Sequence, residues 1–469
     1  MKIKPPKLNI PDDNPFAEDI LERKESAQIL TQFISTIKEP YVLAIDSPWG
    51  TGKTTFIQMW SQSLKKDDYP CIYINAWEND FSDAPLVSLI GEIDAGIEGI
   101  KLSKGLKTKA KRNIAKVKKV GSLLLKKSIP IIIKTATSGV VDVDKAYGAA
   151  MSEMAATTAS DIIDKYSTDK KTIKEFKKSL SKFVLDVSPK DKKGNTKPLI
   201  LFIDELDRCR PNFAIELLEK AKHFFNIDNI IFVLALDKEQ LGHSIKSMYG
   251  VDMNVDGYLR RFIDLDYNLP ETSADVFCNA LFSKLKIADY FSGKTKSNHY
   301  KELLTTLIKL FKAFNFSLRD QEQCISRLNI VLRTTTPDSF IHPIFLGALI
   351  ILKTANHQLY THITKRDANS NDIRNFIANT KEGKEFLSSD YGTILKAYFD
   401  YTQHTNIEAK TDLINTYQQK LNNSGLSNEN RVKTDAIFNL FIFLRSDCNY
   451  DIIKYLTKKI EIAEQFIQN

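Results

Sequence analysis

The run Ser47-Pro48-Trp49-Gly50-Thr51-Gly52-Lys53-Thr54-Thr55 gathers two glycines, a lysine and four hydroxyls. Gly50 and Gly52 free the backbone to curl so that successive N–H groups point inward, which is a geometry for receiving phosphate oxygens. In such a loop Lys53 reaches the β and γ phosphates of a nucleotide, the Thr54 hydroxyl ligates Mg²⁺, and Thr55 touches the α phosphate. The first position of the GxxxxGK[ST] pattern is Ser47 instead of glycine. A positive φ there would cost about 1 kcal/mol.

A second group of reactive side chains closes the apolar run Leu199-Ile200-Leu201-Phe202-Ile203 with Asp204 and Glu205, followed by Leu206-Asp207-Arg208. Ligands of an open parallel sheet gather at the carboxyl ends of its strands, so this pair is expected to face the glycine loop. Asp204 would hold the Mg²⁺ through its water shell, and Glu205 would polarise the water that attacks the γ phosphate. Neighbouring strand residues point to opposite faces, so Glu205 must lie where the strand breaks into a loop. Together the two groups read as a site that binds and hydrolyses a nucleoside triphosphate. Arginines near it in sequence are Arg208, Arg210, Arg260 and Arg261; Arg261 and Arg208 are the first choices for neutralising transition-state charge, from the same or a neighbouring subunit. Asp237, ending the run Ile230–Leu236, is either a sensor of the γ phosphate or a solvated strand end.

These groups need a scaffold that brings strand ends and a helix start to one edge. Apolar, β-branched runs at Tyr41–Ile45, Ile72–Ile74, Leu199–Ile203, Ile230–Leu236 and Phe262–Leu269 read as buried strands, and Thr54–Leu64 and Phe213–Phe225 have helical spacing between them. Strands alternating with helices imply a parallel α/β sheet. The predicted fold is an α/β, parallel-sheet P-loop NTPase core in two parts, residues 1–99 and 196–270. A basic, mainly helical insertion at 100–195 separates the parts, and a C-terminal all-α domain spans 271–469.

Net charge is +8, yet residues Lys101 to Lys134 carry twelve Lys/Arg and no acid; removing those twelve from +8 leaves the rest of the chain at −4. An anionic partner is therefore expected at that segment. Five scattered cysteines without a CxxC pair, and an N-terminus lacking an apolar core, point to a reducing cytoplasm. The seven histidines form no HxH or HExxH pattern, which argues against a zinc-dependent second active site.

Several segments in order resemble the KAP family of P-loop ATPases: the loop SPWGTGKTTF, the phrase Ile74-Asn75-Ala76-Trp77-Glu78-Asn79-Asp80, the strand LFIDELDRCRP, and VLALDKEQL followed by Tyr258-Leu259-Arg260-Arg261-Phe262. The resemblance spans Leu21 to Pro270. It implies ATP binding and hydrolysis, a bulky insertion between the nucleotide motifs that often associates with membranes, and, in bacterial members, links to phage exclusion. The family pattern usually has glycine where this chain has Ser47, and many members carry aspartate where it has Glu205. The acid pair and the intervening strand place the chain with the additional-strand, catalytic-glutamate division, in which homo-oligomers are common. A separate effector protein is the expected partner.

A membrane span through Ser122–Val143 is not expected, because Lys126, Lys127, Lys134, Asp142 and Pro130 interrupt it. The basic segment could instead meet nucleic-acid phosphates or lie peripherally on an anionic membrane surface, or be a solvated helical hairpin.

Overall fold

The computed structural model describes residues 1–4, 9–127, 159–190, 194, 196–292, 297–336, 339–423, 425–446, 448 and 450–465. The chain divides into two units, Asn9–Pro270 and Met1–Leu8 with Glu271–Asn469.

In the first unit five strands, β1 (Tyr41–Asp46), β2 (Cys71–Asn75), β3 (Leu199–Asp204), β4 (Ile230–Leu236) and β5 (Leu265–Asn268), form one sheet in the order β2-β3-β4-β1-β5. Every pairing is parallel. β4 therefore stands between the strand that feeds the glycine loop and the strand that ends in acids. β3 and β4 are buried at every residue, as central strands covered on both faces must be.

One face is covered by α1 (Lys24–Ser35) and α2 (Lys53–Lys66), whose Leu30, Ile34, Phe56, Ile57 and Trp60 pack on Leu43, Ile45, Phe202 and Val233. The other is covered by α3 (Pro85–Gly96), α4 (Lys104–Lys127), α5 (Ala159–Val187), α6 (Pro211–Phe225) and α7 (Lys238–Tyr249). A short helix, α8 (Val255–Leu259), precedes β5. Each fully buried Leu, Ile or Phe contributes about 1.5–3 kcal/mol, so covering both faces, rather than strand propensity, fixes the sheet.

The run Phe262–Leu269, read as fully buried, is an edge instead. Phe262, Ile263 and Leu269 are buried, but they flank a four-residue strand that is largely exposed, because Asp264 and Asp266 interrupt the run.

Between the nucleotide motifs, α4 and α5 form an antiparallel hairpin: Asn113 bonds Asp186, and Gly121 lies against Phe176. Ala110, Ile114 and Val117 meet Phe176, Leu180, Phe183 and Val184 in the same core as Ile90 and Ile93 of α3. Acids from outside the segment neutralise part of its charge: Glu98 takes Lys107 and Lys111, Asp94 takes Lys118, and Asp186 takes Lys109 at 2.8 Å. Residues 128–158 lie outside the described residues, and with them most of Ser122–Val143 and the end of Lys101–Lys134. Among the described residues no helix is long and apolar enough to cross a membrane.

The second unit is helical: α9 (Ala274–Lys284), α10 (Ser297–Ala313), α11 (Leu318–Arg333), α12 (Pro343–Ala355), α13 (His357–Lys365), α14 (Ser370–Ile377), α15 (Lys381–Ser388), α16 (Asp390–Gln403), α17 (Ile407–Leu421), α18 (Asn428–Ser446) and α19 (Ile452–Glu464). α12 is buried from Pro343 to Lys353 and packs against α10, α11, α13, α16 and α19 within one continuous core. The ends are set by side chains, as in the Ser317–Asp320 capping box that starts α11.

Candidate nucleotide site

The glycine loop joins β1 to α2, with Gly50 at φ 79° and Gly52 at φ 85°. Gly52 is the N-cap of α2, so the helix opens at Lys53 and presents its first N–H groups toward the loop's concavity. Ser47 is not among the residues of positive φ, and the backbone cost that a serine there would carry does not arise. Its hydroxyl bonds the Thr51 hydroxyl at 2.7 Å, and Thr51 also donates to the Pro48 carbonyl at 2.8 Å. Lys53 is 9% exposed, and its ammonium donates to the carbonyls of Ser47 and Pro48, holding the loop curled. Burial lowers the lysine's pKa, while the carboxylates of Asp207, Asp237, Asp204 and Asp46 pull it back up. Thr54 and Thr55 sit half-buried in the first turn of α2.

β3 delivers Asp204 beside Asn75 of β2. The Asp204 carboxylate is 1% exposed; it accepts from the Tyr73 hydroxyl at 2.9 Å, from the Glu205 N–H at 2.9 Å, and from the Thr54 hydroxyl. Burial is the largest influence on its pKa and raises it. The hydroxyl of Thr54 and the carboxylate of Asp204 thus lie together as a hard-oxygen pair, which is what a divalent cation of the magnesium type takes alongside water and phosphate oxygens. A carboxyl whose folded pKa is raised stabilises the fold fully only below its unfolded pKa and less as pH rises. Ionised Asp204 therefore costs the metal-free protein stability at neutral pH. Asp204→Asn is expected to raise the melting temperature of the nucleotide-free protein by a few degrees, about 1 kcal/mol, while removing the divalent-cation dependence of nucleotide affinity. Thermal melts with and without nucleotide and metal measure both effects.

Glu205 has left the strand: its φ of 60° and ψ of 26° are left-handed, so it turns to the same edge as Asp204. One carboxylate oxygen accepts from Arg208 at 2.5 Å. Arg208 is therefore brought to the glutamate, not to the glycine loop. Arg260 and Arg261 are exposed at the end of α8, and among the described residues neither side chain has a hydrogen bond or ion pair. Arg210 is a staple: its backbone N–H and guanidinium bind Asp80, tying the start of α6 to the turn after β2.

Asp237 is not a solvated strand end. It is 6% exposed, caps α7 by accepting from the Glu239 and Gln240 N–H groups, and accepts from the Trp49 N–H at 3.2 Å. Asp207, to which the sequence pattern assigns no role, accepts from the Trp49 indole N–H. The glycine loop is thereby tethered through Trp49 to the ends of β3 and β4. Tyr73, which orients Asp204, has no sequence signal either, because only the pairing of β2 with β3 makes the two neighbours.

The family model for the KAP family P-loop domain matches residues 23–335, running from the start of α1 past the end of α11. Comparison with curated proteins returns no match. Among solved structures the trace is similar to the ORC2 protein of Aeropyrum pernix in its ADPNP–ADP complexes, with 10% identity, 99% of this chain and 96% of that chain covered, and a TM-score of 0.32. It is also similar to CDC6P from Pyrobaculum aerophilum, with 11% identity, 99% and 98% covered, and a TM-score of 0.36. With the family match covering most of its length, including the glycine loop, the acid-tipped strand and the hairpin between them, the chain belongs to the KAP family of P-loop NTPases.

Proposed function

We propose that the chain is a magnesium-dependent ATPase whose hydrolytic cycle regulates or powers a separate effector protein in bacterial anti-phage defence. The observation that carries the hydrolytic part is Glu205: the left-handed turn after Asp204 puts a second, partly exposed carboxylate on the edge occupied by the glycine loop. The loop's N–H groups and Lys53 would bind the triphosphate, and Thr54 and Asp204 would hold Mg²⁺. The ion, when bound, supplies charge neutralisation at the phosphates. Glu205 would orient the attacking water and accept its proton, and the bond broken is that between the γ phosphorus and the β–γ bridging oxygen. Family membership supports the defence role, and the exposure of Arg261 supports its acting on a neighbouring subunit's nucleotide. The test is phosphate release by the purified chain with ATP or GTP, with Mg²⁺ or EDTA, resolved by assembly size. Release that is absent with ATP and Mg²⁺ in every assembly overturns the enzymatic reading.

A second reading, a nucleotide-gated scaffold that binds nucleic acid through the insertion, is favoured by one observation. Among the described residues, most apolar side chains of α4 and α5 pack on each other and on α3, while Lys104, Lys116, Lys170, Lys174 and Lys178 are exposed. Such a surface meets phosphates through charge and leaves little apolar area for a bilayer. Replacing four of these lysines with glutamine is expected to weaken duplex DNA binding and to flatten the slope of log K against log salt by up to about 3.6, at roughly 0.9 for each phosphate no longer neutralised. An unchanged slope, or binding to anionic vesicles but not to DNA, defeats it.

A further inference from the structure

The unit that lacks the glycine loop holds a cleft of 650 Å³ walled by Arg366, Tyr401, Lys410, Arg445, Cys448 and Tyr450. Helix packing brings these residues together from the end of α13, from α16 and α17, from the last turn of α18, and from the connection between α18 and α19. Among its lining residues are three cations and one acid, Asp451. That acid is already engaged: it pairs with Arg366 and caps α19 by accepting from the Lys454 N–H at 3.0 Å. Arg366 is further anchored to the Thr402 carbonyl at 3.3 Å.

The other two cations have no such anchor. The Lys410 ammonium lies 4.8 Å from the centre of the Tyr401 ring, and among the described residues no carboxylate stands within 4 Å of it or of Arg445. Burial and then the like charge of Arg366 lower the Lys410 pKa, against an upward pull from Asp451. A concave wall with surplus positive charge attracts an anion, and guanidinium with ammonium groups supplies the convergent donors that phosphate oxygens accept from. The cleft's size is that of a small-molecule site, and Ile407, Ile452 and the tyrosine rings offer apolar wall for an organic portion.

We propose that this cleft binds a phosphate-bearing small molecule of about nucleotide size, with Lys410 and Arg445 as its movable cationic contacts and Arg366 as a fixed one. The thiol of Cys448 is a built-in reporter, since it lines the cleft and the other four cysteines are buried. The experiment follows the rate of maleimide labelling at Cys448 in the full chain, identified by peptide mass, with 5′-AMP, inorganic pyrophosphate or citrate present. At about ten times Kd, either phosphate probe is expected to slow labelling roughly tenfold. Lys410→Gln with Arg445→Gln is expected to abolish that protection while leaving the melting temperature and the Trp49 fluorescence response to ATP unchanged. Labelling unaffected by both phosphate probes overturns the proposal. So does protection that survives the double substitution, or protection by citrate equal to that by the phosphates.

Discussion

Lys53→Ala is expected to reduce ATP-dependent phosphate release by at least about a hundredfold and to abolish the change in Trp49 fluorescence on adding ATP. Trp49 suits the measurement because its backbone belongs to the glycine loop and its indole, 42% exposed, bonds Asp207. The substitution removes more than a phosphate contact. The ammonium also bonds the Ser47 and Pro48 carbonyls and sits in the field of four carboxylates, Asp207 foremost. Taking one partner out of a buried charge cluster leaves the rest uncompensated, which costs about 3–5 kcal/mol where burial is complete and less in this half-open site. The nucleotide-free variant should therefore melt below the wild type, and it should no longer gain stability from ATP with Mg²⁺. Lys53→Met, which restores most of the lost volume but not the charge, should behave the same way in turnover. Turnover indifferent to both substitutions sinks the assignment of the loop.

What was legible in the sequence was what is local. A glycine pair before a lysine and an amphipathic run fixes a loop and a helix start, and an apolar run ending in two acids fixes a strand and its chemical end. The turn at Glu205 followed from strand alternation alone, and the structure places it there with a left-handed backbone. Features made by pairing were not legible. Tyr73 reaches Asp204 only because β2 lies beside β3, and Asp207 reaches Trp49 only because the ends of β1 and β3 share an edge. Ser47 shows the limit of pattern reading in the other direction: a departure from glycine that looked strained is relaxed in place, because the positive φ angles of this loop fall on Gly50 and Gly52. The basic segment looked uncompensated because its acids, Glu98, Asp94 and Asp186, lie before and after it in sequence. The cationic cleft of the helical unit had no sequence signature, since positions 366, 410 and 445 meet only through tertiary packing.

Glu205→Gln separates binding from chemistry. The amide keeps the size of the side chain and its ability to accept from Arg208, but it cannot take a proton from water, so phosphate release is expected to fall by about 10²–10⁴ while ATP affinity stays within a few-fold. Because the triphosphate then persists, any assembly that depends on bound ATP should accumulate in this variant and be visible by size. Arg208→Ala is the informative companion. Its guanidinium pairs with the glutamate at 2.5 Å and, among the described residues, makes no hydrogen bond to the glycine loop, so its removal frees a carboxylate that remains able to act. A loss of less than about tenfold is expected, the scale of a partly exposed positioning contact. If Arg208→Ala instead matches Glu205→Gln in depth, the guanidinium must leave the glutamate for the phosphates when nucleotide binds, and the Arg208–Glu205 pair is one position of a moving part.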